Sequence, residues 1–162
     1  MFRIGHGFDI HRIISKNQPL ILGGINIKAD FSLEAHSDGD VILHALCDSI
    51  LGALSLGDIG IHFPDIDNRY KNIPSSYFIR QALSFIREKN YQINNTDITV
   101  VTEIPKISPY VVRMCKTMSQ LLDLNANQIN IKAKTTEQLG YIGRKEGIAC
   151  YAVTLISKIP KY

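Results

Sequence analysis

In the opening stretch GHGFDIH a carboxylate and an imidazole, Asp9 and His11, stand two residues apart. In an extended segment such residues point to the same side, so both groups can converge on one point. Neutral imidazole with carboxylate is a common donor set for Zn²⁺ or a similar divalent cation. The preceding Gly5 and Gly7 let another group approach the backbone closely. Taken alone, the pair equally suits a surface strand end carrying two polar residues.

A second cluster lies in HSDGDVILHALCDSIL, where Asp40, His44 and Asp48 recur at a spacing of four. They form one polar stripe on a helix otherwise filled with Val, Ile, Leu and Ala. The helix carries no Lys, Glu or Gln, so the stripe is expected to face a polar cavity inside the fold. His44 then offers a third ligand from a second element, and three protein ligands leave the open position typical of a catalytic site. The alternative is a core histidine hydrogen-bonded to Asp40 or Asp48. His36 and Ser37 precede the helix, whose N-terminus offers free N–H groups and positive dipole to a phosphate. A plain capping sequence is the competing explanation. In KAKTTEQLGYIGRKEG, Thr135, Thr136 and Glu137 follow Lys132 and Lys134. Hydroxyls and backbone N–H groups there can hold phosphate oxygens, and Glu137 suits a Mg²⁺ bridging them. An ordinary polar loop accounts for the same residues.

These groups need a scaffold. Residues 2–8, 20–27, 97–104, 129–134 and 148–157 read as strands, with Gly23-Gly24 as a bend or bulge in the second. Residues 40–56 read as a helix capped by Asp38 or Asp40 and ended by Gly57. A second helix starts from Ser75 or Ser76, runs to about Lys89, and carries the stripe Phe78, Ala82, Phe85 and Ile86. A third follows Pro109, with Val111, Met114, Cys115, Met118, Leu121 and Leu122 inward. Residues 57–74 read as a turn-rich loop and TEIPKISP as a connecting loop containing Lys106. The expected fold is α/β, an α+β sandwich with a mostly four-stranded sheet and helices on one face. The strands also carry Ile4, Phe8, Ile148, Tyr151, Val153 and Leu155. Some of these must face something other than the helices, because a sheet covered on one side exposes its other face.

A length of 162 residues suits one domain over the whole chain. A formal charge of +3, with scattered Lys and Arg, argues against nucleic acid as a partner. Cys47, Cys115 and Cys150 form no CxxC pair and no disulfide framework, so a reducing compartment is expected. No basic region leads into an apolar one at the N-terminus. The most apolar stretch, VILHALCDSILGALSL, is too short for a membrane span and carries His44 and Asp48. A cytoplasmic protein without a membrane partner is expected.

Read together and in order, GHGFDIH, AHSDGDVILHAL, GDIGIHFPDID, the PK of TEIPKISP and KAKTTEQLGYIGRKEGIAC resemble the 2-C-methyl-D-erythritol 2,4-cyclodiphosphate synthase family of the non-mevalonate isoprenoid pathway. The resemblance covers essentially the whole chain. It implies a lyase that closes 4-diphosphocytidyl-2-C-methyl-D-erythritol 2-phosphate into the cyclic diphosphate and releases CMP. It implies Asp9, His11 and His44 as zinc ligands, and Glu137 as ligand to a second divalent ion, Mg²⁺ or Mn²⁺. It assigns His36, Ser37 and Thr135 to the reacting phosphates, His36 and Thr135 being the catalytic candidates. Ile10, Asp58, Ile59, Gly60, Phe63, Pro64, Asp65, Ile66 and Asp67 are implied on the substrate side, the last eight along the methylerythritol. Thr102, Glu103, Ile104, Pro105, Lys106, Ile107 and Ser108, with Ala133, Lys134 and Thr135, would form the cytidine pocket. Thr136, Tyr141 and Arg144 complete the candidate substrate contacts. The family resemblance also implies a homotrimer with the active site between subunits, and an apolar channel bordered by Phe8, Arg144 and Glu146. Two other classes fit the bare donor set: a metal-dependent phosphohydrolase and a non-catalytic, metal-stabilised oligomer.

Overall fold

The structure is a computed structural model and describes residues 1–64 and 66–160. The chain begins with strands β1 (Phe2–Ser15), β2 (Leu20–Leu22), β3 (Ile25–Ile27) and β4 (Phe31–Leu33). Helices α1 (Val41–Ala53), α2 (Ile59–His62) and α3 (Ser76–Glu88) follow. Then come β5 (Tyr91–Val101), α4 (Val111–Leu122), β6 (Ile129–Lys134), α5 (Gly140–Gly143) and β7 (Gly147–Lys158). The main sheet has five strands in the order β4-β1-β7-β5-β6, with β5 and β6 parallel and the other pairs antiparallel. The α/β reading holds, but the expected four-stranded sheet gains an edge strand. That strand, β4, is three residues long, and all three are buried, so no alternation marks it.

The stretch expected as one strand at 20–27 is a separate hairpin, β2 and β3. Gly23 and Gly24 both have positive φ, +59° and +76°, as a two-residue hairpin turn demands. Strand β5 starts six residues before the expected Asp97, and its register shifts between Ile93 and Asn95. The polar pair Asn94-Asn95 reads as a loop, whereas the shift absorbs the extra residue within the strand.

Helix α1 lies between β1, β7 and α3 and is buried nearly all round. Its β-branched Val41, Ile42 and Ile50 cost a few tenths of a kcal/mol each in helix propensity, whereas burying each side chain contributes roughly 2 kcal/mol. Burial therefore decides the helix. What seats α1 is the absence of side chains on β1. A Cβ at Gly5 would lie 1.9 Å from the Ser49 carbonyl oxygen, and one at Gly7 1.9 Å from that of Ala45. Both obstacles are backbone and cannot turn aside. Odd positions of β1 thus face α1, and each two-residue step along the strand meets about one helical turn. Two residues beyond Gly7 the same face presents Asp9, level with His44, and then His11.

The even positions of β1 face the other way. Phe2 is 70% exposed, Ile4 68% and Phe8 40%, and Tyr151 of β7 joins Phe8 at a ring separation of 4.9 Å. Ile148 does not belong to this face; it pairs with His11 and is fully buried on the helix side. Among the described residues, no helix is long and apolar enough to cross a membrane.

Candidate functional site

Asp9 and His11 on β1 meet His44 on α1. Asp9 Oδ2 lies 3.1 Å from His11 Nε2 and 3.0 Å from His44 Nδ1, and the two ring nitrogens are 3.0 Å apart. One donor atom from each residue lies within 4.8 Å of the others, a spacing that suits a shared divalent cation. Burial works against the Asp9 charge, but hydrogen bonds and charge from His11 and His44 outweigh it and hold the carboxyl well below the usual range. For His44, burial opposes protonation while Asp9, Asp40 and Asp38 favour it, and the net shift is upward.

Asp40 and Asp48 do not share a cavity with His44, contrary to the stripe expected from their spacing. The helix begins after Asp40, whose carboxylate caps it. Oδ1 accepts from the backbone N–H of Ile42 at 3.1 Å, Leu43 at 3.2 Å and Gly23 at 2.9 Å, and Oδ2 accepts from Gly24 at 2.6 Å. Complete burial pushes this carboxyl up to about 6, against the pull of those donors. Asp48 accepts from the Ile59 N–H at 2.7 Å and so ties α1 to α2. Each end of the stripe anchors backbone, and only its middle member reaches the cluster.

The far side of His44 is also occupied. Its Nε2 lies 2.8 Å from Ser75 Oγ and 3.1 Å from Ser37 Oγ. Ser75 in turn donates its hydroxyl to Asp38. Sequence reasoning assigned Ser75 only to capping, and a serine before a helix carries no other signal.

A cleft of about 290 Å³ opens over the cluster. Of the candidate site residues, Asp9, His11, His44, His36, Ser37, Ile59, Gly60 and Phe63 line it, joined by Glu34, Ala35, Tyr70 and Phe78, which the sequence did not single out for the site. His36 Nε2 is buried there without a hydrogen-bond partner among the described residues. Ile10 points to the opposite face of the sheet. Asp58 caps α2 through the Ile61 N–H, Asp67 pairs with Arg69, and Pro64 and Ile66 do not line the cleft. Asp65 lies outside the described residues.

A second cleft, about 390 Å³, is lined by Thr102, Glu103, Pro105, Lys106, Ile107, Ser108, Ala133, Lys134 and Thr135. Ile104 lies behind it, its carbonyl held by the Thr102 hydroxyl. Glu103 accepts from the Thr136 N–H at 2.9 Å, its hydroxyl at 3.2 Å and the Gln138 N–H at 3.2 Å. It thereby clamps the loop that carries Thr135 and Glu137, a role its sequence position did not suggest. These hydrogen bonds hold the Glu103 carboxyl below the usual range, the Gln138 N–H contributing most. Thr135 donates to Glu137 at 3.3 Å. Tyr141 lines a smaller hollow with Leu139 and Tyr151, and Arg144 pairs with Glu146 at 2.7 Å. The cleft over the metal cluster and the one holding Thr102 and Thr135 share no lining residue, so within one chain His36 and Thr135 stand in separate cavities.

With this geometry in view, comparison with known proteins identifies the lineage. The model of the YgbB family matches residues 2–157. A protein of Francisella tularensis subsp. novicida named 2-C-methyl-D-erythritol 2,4-cyclodiphosphate synthase is 53% identical over 155 residues, 96% of this chain and 98% of its own. Its counterpart in Francisella philomiragia is 53% identical over 157 residues, 97% of this chain and 99% of its own. Among solved structures, IspF of Plasmodium falciparum in complex with CDP superposes with a TM-score of 0.85 at 43% identity, covering 99% of this chain and 97% of that one. The bifunctional IspDF of Campylobacter jejuni gives a TM-score of 0.94 at 42% identity over 98% of this chain, which spans 43% of that longer protein. The chain therefore belongs to the YgbB family, the family of the 2-C-methyl-D-erythritol 2,4-cyclodiphosphate synthases.

Proposed function

We infer that this chain is a 2-C-methyl-D-erythritol 2,4-cyclodiphosphate synthase, a phosphorus–oxygen lyase working as one domain over residues 1–162. An oxygen of the substrate's 2-phosphate attacks the β-phosphorus of its own cytidyl diphosphate. The bond from that phosphorus to the bridging oxygen breaks, and CMP leaves with the oxygen. The observation that carries this reading is full-length likeness to proteins of that name, in a chain whose Asp9, His11 and His44 converge beside a cleft.

Two imidazoles and a carboxylate fit zinc, and one exposed carboxylate at Glu137 fits Mg²⁺ or Mn²⁺, which bind through few protein ligands plus phosphates. When bound, these cations supply the positive charge that offsets repulsion between two anionic phosphates. The chain's own residues fold the substrate. His36 and Ser37 hold the 2-phosphate side. Thr135 and the surrounding N–H groups hold the diphosphate, and the loop 102–108 takes the cytidine. Nucleophile and electrophile belong to one molecule, so positioning carries much of the catalysis and no nucleophilic side chain is needed. Phosphorus NMR should show the cyclic diphosphate and CMP in equal amounts; inorganic phosphate in their place would favour a hydrolase. In the same assay Glu137→Gln should weaken dependence on added Mg²⁺, and an unchanged titration would remove Glu137 from that role.

The proposal includes a homotrimer. Supporting it are the exposed apolar face of β1 and β7 and the separation of His36 from Thr135 within one chain. Three such faces around an axis would bring the second cleft of one subunit to the metal cluster of its neighbour, with Arg144 near one end of the channel. Light scattering with sizing at low micromolar concentration should give three times the chain mass, and a fully active monomer would defeat the assembly. The three free cysteines fit a cytoplasmic location, which cell fractionation checks.

A further inference from the structure

We propose that Asp38 and Ser75 are positioning residues that fix the His44 imidazole with its Nδ1 lone pair aimed at Asp9 and His11. The inference rests on the metal reading of that cluster. A carboxylate only accepts hydrogen bonds, and a serine hydroxyl has one proton to give. Ser75 Oγ gives its proton to Asp38 Oδ1, so toward His44 it can only accept. At 2.8 Å it accepts from His44 Nε2, which must then carry the hydrogen. A histidine that ligates a metal is neutral and has one N–H, so with that hydrogen on Nε2 the lone pair of Nδ1 is the one left for the ion, and it is Nδ1 that lies 3.0 Å from both Asp9 Oδ2 and His11 Nε2.

Two further observations separate this from ordinary packing. Ser75 occupies the N-cap position of α3, yet its hydroxyl makes no cap hydrogen bond. The group that would satisfy a helix end is fully buried and turned sideways onto His44. Asp38 also grips Ser75 a second time, Oδ2 accepting from its backbone N–H at 3.0 Å, and Oδ1 accepts from the Asp40 N–H at 3.2 Å. One carboxylate thus joins the start of α3 to the start of α1 and sets the hydroxyl between them. Among the described residues, no carboxylate accepts the proton of Ser37, 3.1 Å from the same nitrogen, so its hydroxyl can turn toward a phosphate.

The test is zinc affinity, measured by competition with a chromogenic chelator on the wild type, Ser75→Ala and Asp38→Asn. Loss of a hydrogen bond that orients a ligating histidine lowers metal affinity about 10–100-fold, and that drop is expected for both variants. The thermal midpoint of metal-free Ser75→Ala should fall by only a few degrees, because Asp38 Oδ1 keeps the Asp40 N–H and His44 Nε2 keeps Ser37 Oγ. Turnover should recover as zinc is raised, which a purely structural defect would not allow. Wild-type affinity in Ser75→Ala overturns the proposal; if that variant does not fold, wild-type affinity in Asp38→Asn does so. A wild-type protein that holds no zinc overturns the metal reading, and this proposal with it.

Discussion

Replacing His44 with alanine is expected to lower turnover by about a thousandfold or more, the low end of what one charge-stabilising group contributes to a phosphoryl transfer. Asp9 and His11 both come from β1, and His44 is the one member of the cluster supplied by a helix. Without it two donors remain on one strand, Ser75 and Ser37 lose the ring nitrogen between them, and bound zinc should fall in parallel. The fold should survive. α1 is seated by buried Ile42, Leu46 and Ile50 and by its backbone contact with Gly5 and Gly7. The cavity left by the imidazole costs about 2 kcal/mol, against a typical stability of about 5–15 kcal/mol. Metal content after dialysis, CMP release and circular dichroism separate the three effects. A variant that keeps full zinc and full turnover would remove His44 from the site.

The cluster itself was legible in the sequence because its geometry is local. Asp9 and His11 share a face through the two-residue period of a strand, and glycine at positions 5 and 7 announces that something packs directly on that strand. His44 stood out as a polar group on a helix with no solvated face. What surrounds His44 was not legible, because Asp38 and Ser75 lie 37 residues apart and carry residue types that also serve as caps. The same ambiguity ran the other way for Asp40. The sequence offered it both as a cap and, by its spacing from His44, as part of a polar stripe; the helix starts one residue later, so the cap reading holds and the stripe does not. In the fold, the long helices followed from apolar periodicity, whereas β4 and the β2–β3 hairpin are built from three-residue strands too short to show a period. Glu103 shows the remaining limit: only the folded loop reveals that its carboxylate holds Thr136 and Gln138.

The second large effect is expected at Asp40, in stability first and activity after it. Its carboxylate satisfies four backbone N–H groups from two segments, Ile42 and Leu43 at the start of α1 and Gly23 and Gly24 at the hairpin turn. Asp40→Ala removes every acceptor at once. Loss of an N-cap costs about 1 kcal/mol, and each buried N–H left without a partner costs about 1–3 kcal/mol more. Even if water reaches the outer donors, a destabilisation of about 4 kcal/mol is expected, a drop in the thermal midpoint of roughly 12 °C for a chain of this size. Asp40→Asn keeps the shape and can leave an oxygen on the three donors of Oδ1, but it turns an amide N–H₂ toward the Gly24 N–H in place of Oδ2, so it should fall between alanine and wild type. His44 lies one helical turn beyond Asp40, and its own N–H bonds the Asp40 carbonyl at 3.0 Å. Fraying of that first turn therefore loosens the histidine, and turnover should decline in both variants before the fold is lost. Thermal and denaturant unfolding measure the first effect, and CMP release at a fixed temperature below both midpoints measures the second. An Asp40→Ala protein within about 1 kcal/mol of wild type, where most surface substitutions lie, would show that the hairpin and the helix hold their places without the carboxylate between them.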